Sequence, residues 1–558
     1  LFVVGRLARP GLVTDTLGKW AGLPSLRGLL RQELHGLDRA IAWDAPLELA
    51  TALPKSGRRR GVRSVVSIGV TSTSELVAIA RDRGLSLDRY LPEVFVFSAS
   101  GGRCAVGPAL GKAPARLVCG ESTADLDELF PYATRGLPNE PIGNRDLEVE
   151  LRVEPLRQRF SSEIAGARLF AGFLVRQIEL DSPRLDRALA DAAYAVADEL
   201  VADVEDSDSL RLGGVLDEKN ETISLELAWK FRSSRSFIGG WLSDAARRPG
   251  PPPPAFARLP GNSTAAGYWV DTGSERTAPV RAAVTELVDA YLEHEKVGKK
   301  ARDHAARLTK LLDFSSAMVT SKGNLPPSKA TDLGYAIGWR LIRVERPIAE
   351  VDRMVDDIQG LVADRDFYEA IAKRFALDPK TQPKSELSRL TGKGVPAGSR
   401  ALTVTIPTML TEDVLKTKSK RGKVPATKPI KVVLVTAPDG KGATVVVISY
   451  DKKDATERLL AFLGDSGERI GARKDLASFQ AMRALHGEVF TWLGIFDLVL
   501  GPMTEKARAT MPNHGDSFIV ETFTATPGPP LVVSLGWTIP AGAIADLPSL
   551  AGALPSSF

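Results

Sequence analysis

Histidine, cysteine and long apolar runs are all scarce in this chain, and each scarcity excludes something. Five histidines in 558 residues form no metal-ligand spacing. Glu295 follows His294, but Gly298 stands where the second histidine of a zincin would fall. Neither a metal nor a cofactor is expected. The best candidate for a membrane span, Ile164 to Leu180, carries Arg168, Arg176 and Glu179. It also falls short of the roughly 20 apolar residues that a transmembrane helix needs. Charge of one sign is lacking too. Lys+Arg 73 against Asp+Glu 68 leaves a net charge of +5, scattered rather than gathered into the basic face of a general nucleic-acid binder. Nucleic acid is therefore not an expected partner.

Two cysteines permit one bridge. Cys104 and Cys119 flank a candidate turn at Gly111-Lys112, and antiparallel pairing about that turn sets them side by side. A disulfide there implies an oxidising, extracytoplasmic compartment, periplasmic or secreted. Two reduced, buried thiols are the alternative.

What is present is the composition of a soluble globular protein, 44% hydrophobic and 25% charged with a mean hydropathy of -0.06. The length exceeds one core, so several domains are expected. The chain also resembles itself. Asp208-Ser209-Leu210 opens a hairpin pattern that closes on Leu227-Ala228-Trp229-Lys230-Phe231. Asp516-Ser517-Phe518 opens another, 308 positions on, closing on Leu535-Gly536-Trp537-Thr538-Ile539. Arg6-Leu7-Ala8-Arg9-Pro10 and Arg343-Val344-Glu345-Arg346-Pro347 form a second matching pair. The fold class expected is α+β. It is read as a tandem duplication of a largely antiparallel sheet with helices packed on one face, in two pseudo-equivalent halves.

Composition shifts divide the chain into a first α+β copy (1–246), a Pro-rich linker (247–266), a mainly helical connecting segment (267–332) and a second copy (333–558). The linker reading rests on Arg247-Arg248-Pro249-Gly250-Pro251-Pro252-Pro253-Pro254. In the first copy, Leu185, Leu189, Val196 and Leu200 form one stripe of a helix that follows Asp181-Ser182-Pro183. In the second, the apolar run from Leu476 to about Leu498 reads as one helix and places His486 in a core.

Tyr268-Trp269-Val270-Asp271-Thr272-Gly273-Ser274 runs an apolar strand into Asp-Thr-Gly-Ser. The motif resembles the catalytic signature of pepsin-like aspartic proteases, and Asp465-Ser466-Gly467 offers a second carboxylate. The resemblance implies a peptidase in which Asp271 and Asp465 share one proton and activate water. Read from the residues alone, the segment is a strand end with an Asp-started turn before a helix. The acidic run Asp203, Glu205, Asp206, Asp208 lacks the Gly-turned loop and closing Glu of a calcium site and reads as a solvated helix end. Lys416, Lys418, Lys420, Arg421 and Lys423 form a basic tract without aromatics. It suits either a solvated loop or peripheral contact with an anionic partner such as lipid head groups.

No catalytic template is complete. The expectation is a non-enzymatic, extracytoplasmic bacterial envelope protein, a binding module or a subunit of a larger assembly with a protein partner. Exposed sheet edges near Trp229 and Trp537 would serve the pairing. The alternatives are a hydrolase using Asp271 and a carrier of lipid or another apolar ligand, its groove beneath Leu169-Phe170 and Phe173-Leu174-Val175.

Overall fold

The computed structural model describes residues 1–23, 37–53, 61–99, 102–108, 114–139, 145–177, 181–273, 275–311, 316–324, 338–374, 382–406, 430–440, 442–464, 467–500 and 504–553. These residues carry twenty strands joined in one antiparallel sheet. The first ten are β1 (Val3–Leu7), β2 (Leu47–Ala52), β3 (Arg63–Val70), β4 (Asp88–Leu91), β5 (Val94–Ala99), β6 (Gly102–Gly107), β7 (Ala115–Gly120), β8 (Leu147–Arg152), β9 (Ser207–Asp217) and β10 (Thr222–Phe231). The second ten are β11 (Ala265–Trp269), β12 (Met318–Gly323), β13 (Trp339–Val344), β14 (Lys384–Arg389), β15 (Arg400–Ile406), β16 (Ile430–Pro438), β17 (Thr444–Ser449), β18 (His486–Phe490), β19 (Ile519–Thr526) and β20 (Leu531–Pro540).

The sheet has a seam where β10 pairs antiparallel with β20, from Thr222 opposite Pro540 to Phe231 opposite Leu531. Outward from it on one side run β9, β8, β1, β2, β3, β7, β6, β5 and β4. On the other side run β19, β18, β11, β12, β13, β17, β16, β15 and β14. Strand for strand, each half follows the same chain order. The register differs, however: Leu210 lies opposite Trp229, whereas Glu521, not Phe518, lies opposite Trp537. The strand order aligns β1 with β11, so the Arg6–Pro10 and Arg343–Pro347 segments, which end β1 and β13, do not correspond. The expected helical connecting segment instead supplies most of β11 and all of β12 to the sheet, with the helices Ala278–His294 and Lys299–Leu311 between them.

Alternating apolar residues on both sides of a strand call for cover on both faces. In the first half Val65, Ala105 and Val118 pack with Leu126, Leu129 and Phe130 of the helix Thr123–Pro131. From the opposite face Val70, Cys104 and Val106 pack with Leu76 and Val77 of the helix Thr73–Asp82. The second half repeats the pattern. Val445 and Val447 meet Leu459 and Phe462 of the helix Lys452–Leu463. On the other side Asp352, from the helix Ile348–Ala363, meets Arg400 and Thr436. Helices thus pack on both faces, not on one.

One polar contact is built into the first core. Arg116, 1% exposed, donates to Glu48 at 2.7 Å, to the Ser67 hydroxyl at 2.9 Å and to the carbonyls of Pro46 and Ser67. Arg6 bonds the other Glu48 oxygen at 2.9 Å. The buried carboxylate therefore holds two guanidinium groups.

Further helices frame the seam: α1 (Pro10–Trp20), α2 (Val153–Arg159), α3 (Ser161–Arg176), α4 (Pro183–Asp206), α5 (Phe237–Ala245) and α6 (Ala541–Ala553). Ser182 caps α4 through its hydroxyl and Pro183 opens it. Of the expected α4 stripe, Leu185 is buried, but Val196 and Leu200 are exposed. The run from Leu476 is not one helix. It breaks into short turns, β18 and the helix Trp492–Leu500, because β18 is claimed by backbone pairing with both β11 and β19.

Candidate functional site

The strands at the seam are half apolar and half polar, and their register sorts the two kinds onto opposite faces. One row runs Leu151, Leu210, Trp229, Val533, Ala525. The next runs Val149, Leu212, Leu227, Leu535, Phe523 and ends at His486. A third holds Leu147, Gly214, Leu225, Trp537, Glu521 and Glu488. The reverse face carries Glu148 paired with Arg211, Arg145 paired with Glu226, and Ser534, whose hydroxyl donates to Glu226 at 2.9 Å.

Helices close the apolar face at its two ends. At one, Leu242 and Ala245 of α5 pack on Phe231, Leu531 and Val533. At the other, Trp20 of α1 and Ile544 of α6 pack on Leu216, Ile223 and Ile539. Between them Leu212, Leu225, Leu227, Phe523, Leu535 and Trp537 are half-buried. The result is an apolar strip crossing the seam. The strands of Trp229 and Trp537 pair with each other and offer no free edge, contrary to the sequence expectation. Their backbone groups are consumed in the β10–β20 ladder.

The strip continues into a cavity of about 440 Å³ under α2 and α3, walled by Leu151, Val153, Leu156, Phe160, Ile164 and Leu210, with Val204, Ser207 and Trp229. Its polar groups are internally satisfied: the Trp229 indole N–H donates to the Ser207 hydroxyl at 2.9 Å, and that hydroxyl donates to the Asp203 carbonyl at 2.5 Å. At the rim, the Arg159 guanidinium lies 5.7 Å from the Phe160 ring centre. Outside, α3 exposes Leu169, Phe170, Phe173 and Leu174. Such a cluster marks a contact surface more often than scattered apolar residues do.

Cys104 and Cys119 are directly opposite on β6 and β7 and are joined as a disulfide; the turn at Gly111-Lys112 lies outside the described residues. Asp271 lies two residues past the end of β11. Its carboxylate is 64% exposed, accepts the Gly273 N–H at 2.8 Å and lies 3.7 Å from Arg248. Gly273 supplies the positive φ of 82° in that turn. The surrounding cleft of about 620 Å³ is polar, with Asp244, Arg247, Arg248 and Arg276 among its walls. Asp465 and the tract Lys416, Lys418, Lys420, Arg421, Lys423 lie outside the described residues.

The acidic run is not a solvated end, since Asp203 and Asp206 are buried. Asp206 accepts the Ser236 N–H at 2.7 Å, and Glu199 accepts the N–H groups of Phe237 and Ile238. Together they hold the N-terminus of α5. Burial pushes the Asp203 carboxyl up, with Glu199 and Asp206 adding to it against a Ser236 hydrogen bond. His304 Nδ1 lies 2.7 Å from Asp357. Sequence reasoning missed the group at His486, Glu488 and Glu521, whose side chains meet only once β18 and β19 pair. No protein-family profile, curated protein or solved structure matches the chain.

Proposed function

We propose that this chain is a non-enzymatic extracytoplasmic binding protein of the bacterial envelope whose ligand carries an elongated apolar chain of the acyl type. The observation that carries this reading is the apolar strip across the seam and its continuity, through Leu151, Leu210 and Trp229, with the 440 Å³ cavity. A concave, largely apolar site of that size is the usual form of a small-ligand pocket. Burying a methylene contributes about 0.8 kcal/mol, so a long chain gains affinity without any polar contact. The Cys104–Cys119 disulfide supports the compartment. The shared strand order supports a tandem duplication of a ten-strand unit, the two copies meeting at β10 and β20. The exposed Leu169, Phe170, Phe173 and Leu174 favour a second reading, in which α3 docks the protein into a larger assembly.

Native mass spectrometry on protein purified from its source without reductant tests both. A mass increment matching a single-chain lipid, recovered by organic extraction, supports the ligand reading. A stoichiometric protein complex free of extractable lipid supports the assembly reading instead. A bare monomer with no extractable ligand contradicts both.

A further inference from the structure

We infer that His486, Glu488 and Glu521 form a binding site for a divalent transition-metal cation of the Zn²⁺ class. Ligand atoms of these three side chains lie within 4.8 Å of one another. His486 and Glu488 stand two apart on β18, so both point to one face. Glu521 sits directly opposite Glu488 on β19. The site lies at the edge of the apolar strip, where a charged group has least reason to be.

The orientation of each ligand is fixed from outside the group. His486 Nδ1 is 2.7 Å from the Tyr268 carbonyl oxygen. A carbonyl accepts only, so Nδ1 carries a proton and Nε2 is the ring atom turned toward Glu488, whose oxygen is 3.7 Å away. Trp269 stacks on the imidazole with ring centres 4.0 Å apart and an 18° tilt. Trp537 donates its indole N–H to Glu521 at 2.7 Å. An imidazole oriented by a backbone carbonyl and a carboxylate oriented by a neutral donor are the outer-shell arrangement of metal ligands.

The electrostatics point the same way. Like charges directly opposite on neighbouring strands are destabilising, and among the described residues neither glutamate is within salt-bridge distance of a lysine or arginine. Two carboxylates and the imidazole Nε2 converge on one point. Either a proton on Nε2 or a cation resolves that conflict. One imidazole with two carboxylates is a donor set suited to Zn²⁺ and to Mn²⁺ or Fe²⁺, and three protein ligands leave a position open. Ligands at about 2.0–2.2 Å from Zn²⁺ sit closer together than in this arrangement, so binding draws the two glutamates inward.

The test is titration of the chelator-treated full-length protein with Zn²⁺ by calorimetry, and with Co²⁺ by visible absorption. One equivalent should bind, with cobalt bands of low coordination number and a higher melting temperature. Glu521→Gln keeps an acceptor for Trp537, and Glu488→Gln changes the carboxylate directly opposite it. Each should weaken binding about tenfold to a hundredfold while the metal-free melting temperature is kept or raised. Absence of one-equivalent binding, or binding by both variants as tight as the parent's, overturns the proposal. So does an imidazolium at His486 that persists by NMR with Zn²⁺ in excess, because it assigns the site to an ion pair.

Discussion

Leu227 faces Leu535 at the centre of the seam, and beside them Glu226 and Ser534 are hydrogen-bonded across a sequence separation of 308. The two hairpins that resemble each other in sequence are therefore the two that meet. Leu535→Asp puts a charge into the middle of the strip. It should cost about 1–3 kcal/mol, the range for losing a large apolar side chain from a buried setting. Urea denaturation followed by tryptophan fluorescence measures it, and an unchanged midpoint would show that the strip contributes nothing to stability.

Glu48 and Arg116 form a buried pair whose polar atoms are satisfied by Ser67, Pro46 and Arg6. Removing one partner leaves an uncompensated charge, so Glu48→Gln should destabilise by about 3–5 kcal/mol. The double change Glu48→Gln with Arg116→Met should recover part of that loss, because the orphaned guanidinium is gone. Chemical denaturation of the two variants checks the order.

Asp439 lies between Arg258, at 2.6 Å, and Arg343, at 2.7 Å. Burial raises its pKa, but the hydrogen bonds and charges of the two guanidinium groups outweigh it and hold the carboxyl below its ordinary value. A depressed folded pKa contributes stability that is fully present above the unfolded value, near 3.9, and is lost as pH falls through the folded one. Asp439→Asn should therefore be less stable than the parent at pH 7, with the gap narrowing below about pH 4. A constant gap across that range would remove Asp439 from the account.

Tyr268 is fully buried beside Phe256 and Phe479, and its hydroxyl has no partner among the described residues. Burial pushes its pKa up to about 12. Deleting an unpaired buried hydroxyl removes a desolvation penalty of about 1–3 kcal/mol, so Tyr268→Phe should leave the melting temperature unchanged or raise it. A clear fall would reveal a bonded hydroxyl.

Cys104 and Cys119 close a loop with a sequence separation of 15. Reduction should lower stability by about 3 kcal/mol on the chain-entropy account. Comparing denaturation midpoints with and without reductant, beside the paired alanine variant, measures it.

Much of the sheet was legible because its strands alternate or carry turn residues at their ends. The segments Leu402–Ile406, Ile430–Thr436 and Thr444–Ser449 are rich in β-branched residues and form β15, β16 and β17, and the side-by-side placement of the cysteines follows from their spacing about a turn. β14 stayed hidden because it is an outer strand carrying Lys384, Glu386 and Arg389, the charged composition that protects a sheet edge. β18 was hidden for the opposite reason. It has partners on both sides in an apolar stretch, where periodicity does not separate a buried strand from a helix. With β18 misread, His486 and Glu488 had no common face, and their meeting with Glu521 depends on cross-strand register that no local pattern encodes. The His-x-Glu alternation within a strand was the one available signal. The apolar strip was half legible: its residues were read as strand faces, but only pairing across the seam makes two faces one surface.

The central claim is that the strip and cavity hold an acyl chain, and quenching of Trp229 tests it most directly. Trp229 lines the cavity wall and its row of the strip. Titrating delipidated protein with a fatty acid brominated along its chain should quench part of the tryptophan emission saturably, and the quenched part should shrink in Trp229→Phe, leaving the share of Trp537 in the same strip. Saturable binding should also be lost in Ile164→Glu, which puts a charge in the cavity wall. Emission that falls only linearly with added fatty acid, or falls equally in all three proteins, would contradict the account.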